Sequence, residues 1–279
     1  VAQRTTRQWI TAIVSVLISL AFLGASFAPL ITGLLSPPAP KPQPQEANLS
    51  ADERIKIEIA SFEKVLAKEP TNQFALQNII KLRNEIGDTK GTIEPLKTLA
   101  NSYPDQTVYR LTLARTYQKL QDTEKAVTEY RNVLAIEPGN LDALRRLVDI
   151  ELSLDRPNSA IDLILEAIDK SEEANKIKPN TVDVASVRLF LGDTYLELKR
   201  FDEAEATYRQ VKEADPKDFR PILGEAFIRR EQKEEEVAQK LFAQAKELAP
   251  EAFKSRIEEI AKPPTQTPNP EPPTALPPQ

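Results

Sequence analysis

The stretch from Leu191 to Pro216, LGDTYLELKRFDEAEATYRQVKEADP, sets Tyr195, Ala204, Tyr208 and Pro216 at spacings of nine, four and eight residues inside a helix-forming run. Such spacing marks either a group of reactive side chains or a packing code. The same chemistry recurs upstream: Leu113-Ala114, Tyr117, Ala126 and Tyr130 stand before Pro138 at the offsets that Leu191-Gly192, Tyr195, Ala204 and Tyr208 hold before Pro216. Pro70, Pro104 and Pro138 fall 34 residues apart, and Pro216 and Pro250 are again 34 apart. A fixed period of this length is the signature of stacked supersecondary units, so the stretch is a packing code. Small residues such as Gly192 and Ala204 let two antiparallel helices approach. Large ones such as Tyr195 and Tyr208 fill the space beside that contact, and the proline ends the second helix.

Other units follow the code more loosely. In 73–106 the Leu-Gly pair is Ile79-Ile80, and Arg83 and Thr92 stand in the tyrosine and alanine places. In 219–252, Ala226, Ala238, Phe242 and Pro250 persist while Arg229 replaces the tyrosine. The unit from 141 keeps Leu147, Ala160, Ile164 and Ala167, but its proline, Pro179, comes seven residues late. Seven residues are about two turns at 3.6 per turn, so the second helix of this unit is expected to lengthen without rotating its apolar face. Ser50-Ala51-Asp52-Glu53 reads as a capping box opening a helix to Glu69, with Ile55, Ile59, Phe62 and Leu66 on one face. Glu251 to Ala261, with Phe253, Ile257 and Ile260, is expected to cover the far end.

The units 107–140 and 185–218 resemble the tetratricopeptide repeat (TPR) pattern of Leu-Gly, Tyr, Ala, aromatic and Pro over 34 residues. The resemblance implies an all-α fold, a right-handed TPR α-solenoid of about five helix-turn-helix repeats between terminal helices, over residues 50–261. A narrower likeness lies in 215–250, where Asp218-Phe219-Arg220-Pro221 leads into a helix. This segment resembles the closing repeat of TPR proteins of the chloroplast thylakoid lumen, whose lengthened middle repeat is also similar to 141–184. That likeness implies a cyanobacterial relative carrying an anchor.

Composition removes most reaction chemistry. The 279 residues include no His and no Cys, which excludes Ser-His-Asp and Cys-His nucleophile systems, Cys/His zinc sites, His-ligated haem and disulfides. No phosphate-binding loop or dinucleotide fingerprint occurs, so no cofactor is expected. Glu234-Glu235-Glu236 is a solvated run, because consecutive helical residues point about 100° apart and cannot converge on one ion; Arg229 and Arg230 are expected to pair with it. No metal site and no catalytic residue are expected. A formal charge of −5 speaks against nucleic acid as a partner.

Flanking the repeats are two segments of different character. Trp9 to Leu35 carries no charged residue and spans roughly 40 Å as a helix, more than the ~30 Å hydrocarbon layer. Arg4 and Arg7 precede it, whereas Lys41 is the first cation after it, so residues 1–8 are expected in the cytoplasm, 9–35 across a membrane and the remainder on the far side, in thylakoid lumen or periplasm. A cleaved signal peptide, with Ser26-Phe27-Ala28 at its exit, is the competing reading. Residues 36–49 form a proline-rich linker holding the folded part away from lipid, and 262–279 a proline-rich tail; such tracts are spacers, or ligands of proline-binding domains.

In TPR folds the first helix of each pair lines a concave groove. On the present register its inward positions include Asn78, Lys81, Arg115, Lys119, Arg145 and Arg146. Five of these six are cations in an acidic protein, a stripe suited to an acidic peptide segment or C-terminus. The alternative is a solvated face balanced by neighbouring Glu and Asp. Leu189, Asp193, Leu196 and Leu223 turn the later repeats from basic to mixed apolar. TPR proteins that grip chaperone tails use a Lys and Asn pattern in early repeats; Gln77 and Lys81 stand in those places here and depart from it. The expected function is a membrane-anchored scaffold that binds a protein partner, in assembly or maintenance of a membrane complex such as a photosystem. The alternatives are a periplasmic adaptor of secretion, pilus or cytochrome-maturation machinery, and an enzyme using carboxylates in the lengthened repeat.

Overall fold

The computed structural model describes residues 49–262; the expected anchor at 9–35 and most of both proline-rich tracts lie outside the described residues. Contacts divide the chain into Val1–Ile57 and Glu58–Gln279, and the repeats lie wholly in the second unit. Among the described residues there are twelve α-helices and no strand: α1 (Ala51–Leu66), α2 (Gln73–Glu85), α3 (Ile93–Ser102), α4 (Val108–Lys119), α5 (Thr123–Ile136), α6 (Leu141–Ser153), α7 (Pro157–Ile177), α8 (Val184–Glu197), α9 (Phe201–Ala214), α10 (Arg220–Glu231), α11 (Glu235–Leu248) and α12 (Glu251–Ala261). A 3-10 turn, Lys90–Thr92, precedes α3. Helices α2 to α11 form five pairs, each helix packing on its chain neighbours, with α8 also touching α10. None of the described helices is long and apolar enough to cross a membrane.

Several helices begin and end for a local reason. The capping box is formed: Ser50 N donates to Glu53 Oε2 at 2.8 Å and Glu53 N to Ser50 Oγ at 3.2 Å. Helix α1 stops at Leu66 rather than Glu69, because Ala67 to Glu69 turn ahead of Pro70, whose ring disfavours helical geometry in the residue before it. Asn72, Asp122, Asn140 and Asp183 cap α2, α5, α6 and α8 by accepting backbone N–H bonds. Within every pair the turn closes through a left-handed residue: Gly87, Gln121, Asp155, Lys199 and Lys233, with φ from 57° to 73°. The following N–H reaches back five residues in each, as in Asp122 N to Tyr117 O at 2.9 Å and Arg200 N to Tyr195 O at 2.8 Å.

The core runs as a chain of clusters from pair to pair. Ala114, Ala126 and Tyr130 are fully buried in one, Ala204 and Tyr208 in another. Tyr208 explains two glycines: a Cβ on Gly192 of α8 would lie 2.4 Å from its ring, and one on Gly224 of α10 would lie 2.3 Å from it. Gly192 therefore makes room for an aromatic ring shared between two repeats, more than for direct helix contact. Tyr195, expected to fill the same space, is only half-buried and lies under the Arg200 guanidinium.

The lengthened repeat behaves as its spacing predicts. Helix α7 has 21 residues where α5, α9 and α11 have 14, and Ala160, Ile161, Ile164, Ala167, Ile168 and Ser171 keep one buried face throughout. The connection to α8 is organised by Asn175, whose Oδ1 accepts from Thr181 N and Val182 N and whose Nδ2 donates to Val182 O at 2.8 Å. At the far end α12 packs on α11 with Ile257 buried and Phe253 half-exposed against Phe219.

Candidate partner-binding cleft

The first helices of the third, fourth and fifth pairs enclose a cleft of about 340 Å³ lined by Arg145 of α6, Leu189 and Asp193 of α8, and Arg220, Leu223 and Phe227 of α10. Its floor is apolar and its polar groups differ in how far they are already engaged. Arg220 is fully engaged: its Nε donates to both oxygens of Asp218 at 2.9 and 3.0 Å, Nη2 to Asp218 Oδ2 at 2.7 Å and Nη1 to Ser186 Oγ at 2.7 Å. Asp218 also accepts from Arg220 N at 2.9 Å, and the Phe219 ring meets that of Phe253 at 5.5 Å, tilted by 41°. The Asp-Phe-Arg-Pro step is thus a staple that fixes the start of α10 against α8 and α12.

Arg145 is exposed and joins no ion pair among the described residues. Its guanidinium carbon lies 4.6 Å from the centre of the Phe190 ring, a cation–π contact that holds the side chain in place. Asp193 is exposed to solvent on one side and crowded by the cleft walls on the other. That crowding raises its carboxyl pKa, opposed by the hydrogen bond from Tyr208 and by the charge of Arg145. The Tyr208 hydroxyl donates to Asp193 Oδ1 at 2.8 Å, and burial drives its own pKa far up, with the Asp193 charge adding to the effect. One carboxylate oxygen is thereby fixed in orientation and the other faces the cleft.

The six residues expected on the inward stripe separate into engaged and free groups. Asn78 donates to the Phe74 carbonyl in its own helix at 2.8 Å. Lys81 lies 3.8 Å from Glu85, Arg146 4.0 Å from Asp149, and Arg115 is paired with Asp142 across the step from α4 to α6. Lys119 and Arg145 are left without an acidic partner among the described residues. Lys81, Arg115 and Arg146 of the basic stripe thus lie beside acidic side chains, whereas Arg145 stands beside the apolar floor. The Gln77 place is also engaged, its Nε2 donating to Tyr109 Oη at 2.7 Å.

Of the four residues expected in the later repeats, Leu189, Asp193 and Leu223 line the cleft, whereas Leu196 packs on the Ala204–Tyr208 cluster; Phe227, the Arg145–Phe190 contact and the Asp218–Arg220 fork were missed. Phe227 recurs 34 residues after Asp193, a signal hidden by the change of chemistry at that place. Arg229 and Arg230 meet the glutamate run as expected, Arg229 with Glu234 at 3.7 Å and Arg230 with Glu235 at 3.4 Å. Among the described residues no group of acidic side chains is placed to hold a metal ion.

Family models described as tetratricopeptide repeat match residues 111–175 and 164–224. The Arabidopsis thaliana protein SLOW GREEN 1, chloroplastic, is 25% identical over 196 residues, covering 70% of this chain. The chain spans 61% of that relative's length. The crystal structure of the yeast Tom70 is similar at a TM-score of 0.50 with 14% identity, over 77% of this chain and 43% of that one. The crystal structure of the MamA protein is similar at a TM-score of 0.41 with 21% identity, over 66% and 94%. Residues 111–224 match tetratricopeptide repeats, and the helix pairs of the described residues form an all-α TPR solenoid.

Proposed function

We propose that the chain is a membrane-anchored scaffold whose TPR cleft between α6, α8 and α10 binds an acidic segment of a protein partner. The observation that carries this reading is the Arg145 guanidinium, held over Phe190 at 4.6 Å and joined in no ion pair among the described residues, beside an apolar floor of Leu189, Leu223 and Phe227. A guanidinium fixed by stacking has already lost much of its rotamer freedom, so a carboxylate docking on it orders little more. An aliphatic side chain of the same partner fits the floor.

The membrane part of the proposal rests on sequence. Trp9 to Leu35 serves as the anchor, Arg4 and Arg7 hold the N-terminus in the cytoplasm, and the solenoid faces thylakoid lumen or periplasm. Confining the cleft within ~40 Å of the bilayer raises the local concentration of membrane-bound partners. A role in assembly or maintenance of a membrane complex, such as a photosynthetic one, completes the proposal; a chloroplastic protein among the similar ones is in keeping with that setting.

Capture of partners by the full chain, compared with a variant carrying Arg145→Glu and Arg146→Glu, tests the cleft. Loss of an acidic partner at unchanged helicity is expected; equal capture by both proteins contradicts the assignment. Sidedness is tested by protease protection in sealed vesicles of known orientation, with an antibody to residues 263–279. Protection on the far side is expected, and digestion from the cytoplasmic side contradicts it.

A further inference from the structure

The cleft between α6, α8 and α10 holds two charges of opposite sign that do not meet. Arg145 and Asp193 both line it, both are exposed, and neither joins an ion pair among the described residues. Each is held by a different neighbour. The Arg145 guanidinium carbon lies 4.6 Å from the centre of the Phe190 ring, and Asp193 Oδ1 accepts from Tyr208 Oη at 2.8 Å. Phe190 and Tyr208 are themselves buried, so the two charges are tethered to the core and not to each other.

The third charged side chain of the lining is already balanced. Arg220 is forked on Asp218 and lies 3.9 Å from Asp183. That leaves Arg145 and Asp193 as the charges a segment in the cleft would meet. Burial against the cleft walls raises the Asp193 pKa and the charge of Arg145 acts the other way, so the two share one field. A segment carrying a carboxylate alone is attracted at Arg145 and repelled by Asp193 across the same small space. One that carries a carboxylate and a cation gains at both places.

The order of the helices orders these contacts. Arg145 stands on α6, Leu189 and Asp193 on α8, Leu223 and Phe227 on α10, so a chain crossing the three meets cation, anion and apolar surface in turn. Packed helix axes are about 8–10 Å apart and alternate residues of an extended chain about 6.7 Å apart, a difference that the long side chains of Glu and Lys span.

We propose that the segment taken by this cleft is dipolar: an acidic residue on Arg145, a Lys or Arg two residues away on the free oxygen of Asp193, and an aliphatic residue two further on against Leu223 and Phe227. The inference rests on the cleft being the partner site and narrows what that site accepts. Arg145 draws acidic segments in, and Asp193 rejects those that bring no cation with the acid.

The full chain in detergent, near neutral pH and at low salt, is titrated into fluorescent peptides with blocked ends. Glu-Ala-Lys-Ala-Leu and the reverse order, Leu-Ala-Lys-Ala-Glu, are each compared with a form in which Gln replaces Lys, and binding is read by anisotropy. In one of the two directions the natural chain is expected to bind the Lys peptide about fivefold more tightly than the Gln peptide. Asp193→Asn separates the alternatives by sign, because it should weaken a dipolar peptide and strengthen a purely acidic one. It keeps an acceptor for Tyr208, so a lost preference does not come from a loosened cleft. Equal or weaker affinity for the Lys peptides, or a preference that survives Asp193→Asn, overturns the inference. In that event, binding of the Gln peptide that is lost in Arg145→Glu leaves the partner site standing, whereas no binding of any peptide contradicts both.

Discussion

Tyr208 gathers much of what the solenoid does into one ring. Its faces rest against Gly192 and Gly224 on successive repeats, and its hydroxyl sets the orientation of Asp193 in the cleft. A methyl group at Gly224 would overlap a ring that is fully buried and has nowhere to move. Gly224→Ala is expected to cost about 1–3 kcal/mol in thermal or urea unfolding, and the cost should shrink when Tyr208→Leu is added, since the two changes share one space. Equal costs alone and in combination would mean that the helices shift apart instead.

Asp193 carries a pH dependence with a definite sign. Its folded pKa stands above the ordinary Asp value of 3.8, chiefly because the cleft walls desolvate it, so the folded state favours the neutral acid. The stability it contributes is fully present below the unfolded value and is lost as pH rises through the folded one. Asp193→Asn keeps an acceptor for Tyr208 and removes the charge. Its melting temperature should exceed that of the natural protein at pH 7, and the difference should vanish near pH ~3.5, below the ordinary carboxylate range. A gain independent of pH would assign the effect to packing.

At the scale of elements, the pair-closing turns hold the clearest reserve of stability. Gln121, Asp155, Lys199 and Lys233 adopt left-handed geometry that costs a residue with a side chain roughly 1–2 kcal/mol, against about 0.5–1 kcal/mol for the extra freedom a glycine loses. Lys199 is exposed, so Lys199→Gly is expected to stabilise by roughly 0.5–1 kcal/mol in chemical denaturation. A loss of stability would show that its side chain contributes contacts that outweigh the backbone strain.

The helix pairs themselves were legible because the code is local: a proline that ends a helix, small residues at the close approach and a buried tyrosine are set by neighbouring residues. The seven-residue lag of Pro179 likewise gave the two added turns of α7. The cleft was less legible, because its free and engaged cations look alike in a sequence. Arg115 and Arg145 differ only in what the fold brings beside them, Asp142 in one case and the Phe190 ring in the other. Asn175 is a similar case, since its bonds to Thr181 and Val182 depend on where the added turns of α7 end.

For the whole molecule, stability is carried from repeat to repeat. Helix α1 contributes Ile59 as its buried residue and α12 contributes Ile257, whereas the inner helices α6, α7 and α8 each bury four or more. Opening should therefore begin at the ends, since each repeat touches only its neighbours and the terminal helices have one each. Amide exchange followed by mass spectrometry should protect α6 to α8 longest and α1 and α12 least. Uniform protection would indicate a single cooperative unit across all five pairs.

The central claim, that the α6–α8–α10 cleft is where a partner is held, is tested most directly by single charge reversals in the full chain. Arg145→Glu and Arg131→Glu are compared, the second an exposed cation on α5 outside the cleft. Arg145→Glu is predicted to weaken partner binding about thirtyfold, from the ~2 kcal/mol that loss of a hydrogen-bonded charge partner costs, with helicity unchanged and with Arg131→Glu binding like the natural protein. Equal affinity for the Arg145→Glu protein and the natural one would contradict the account.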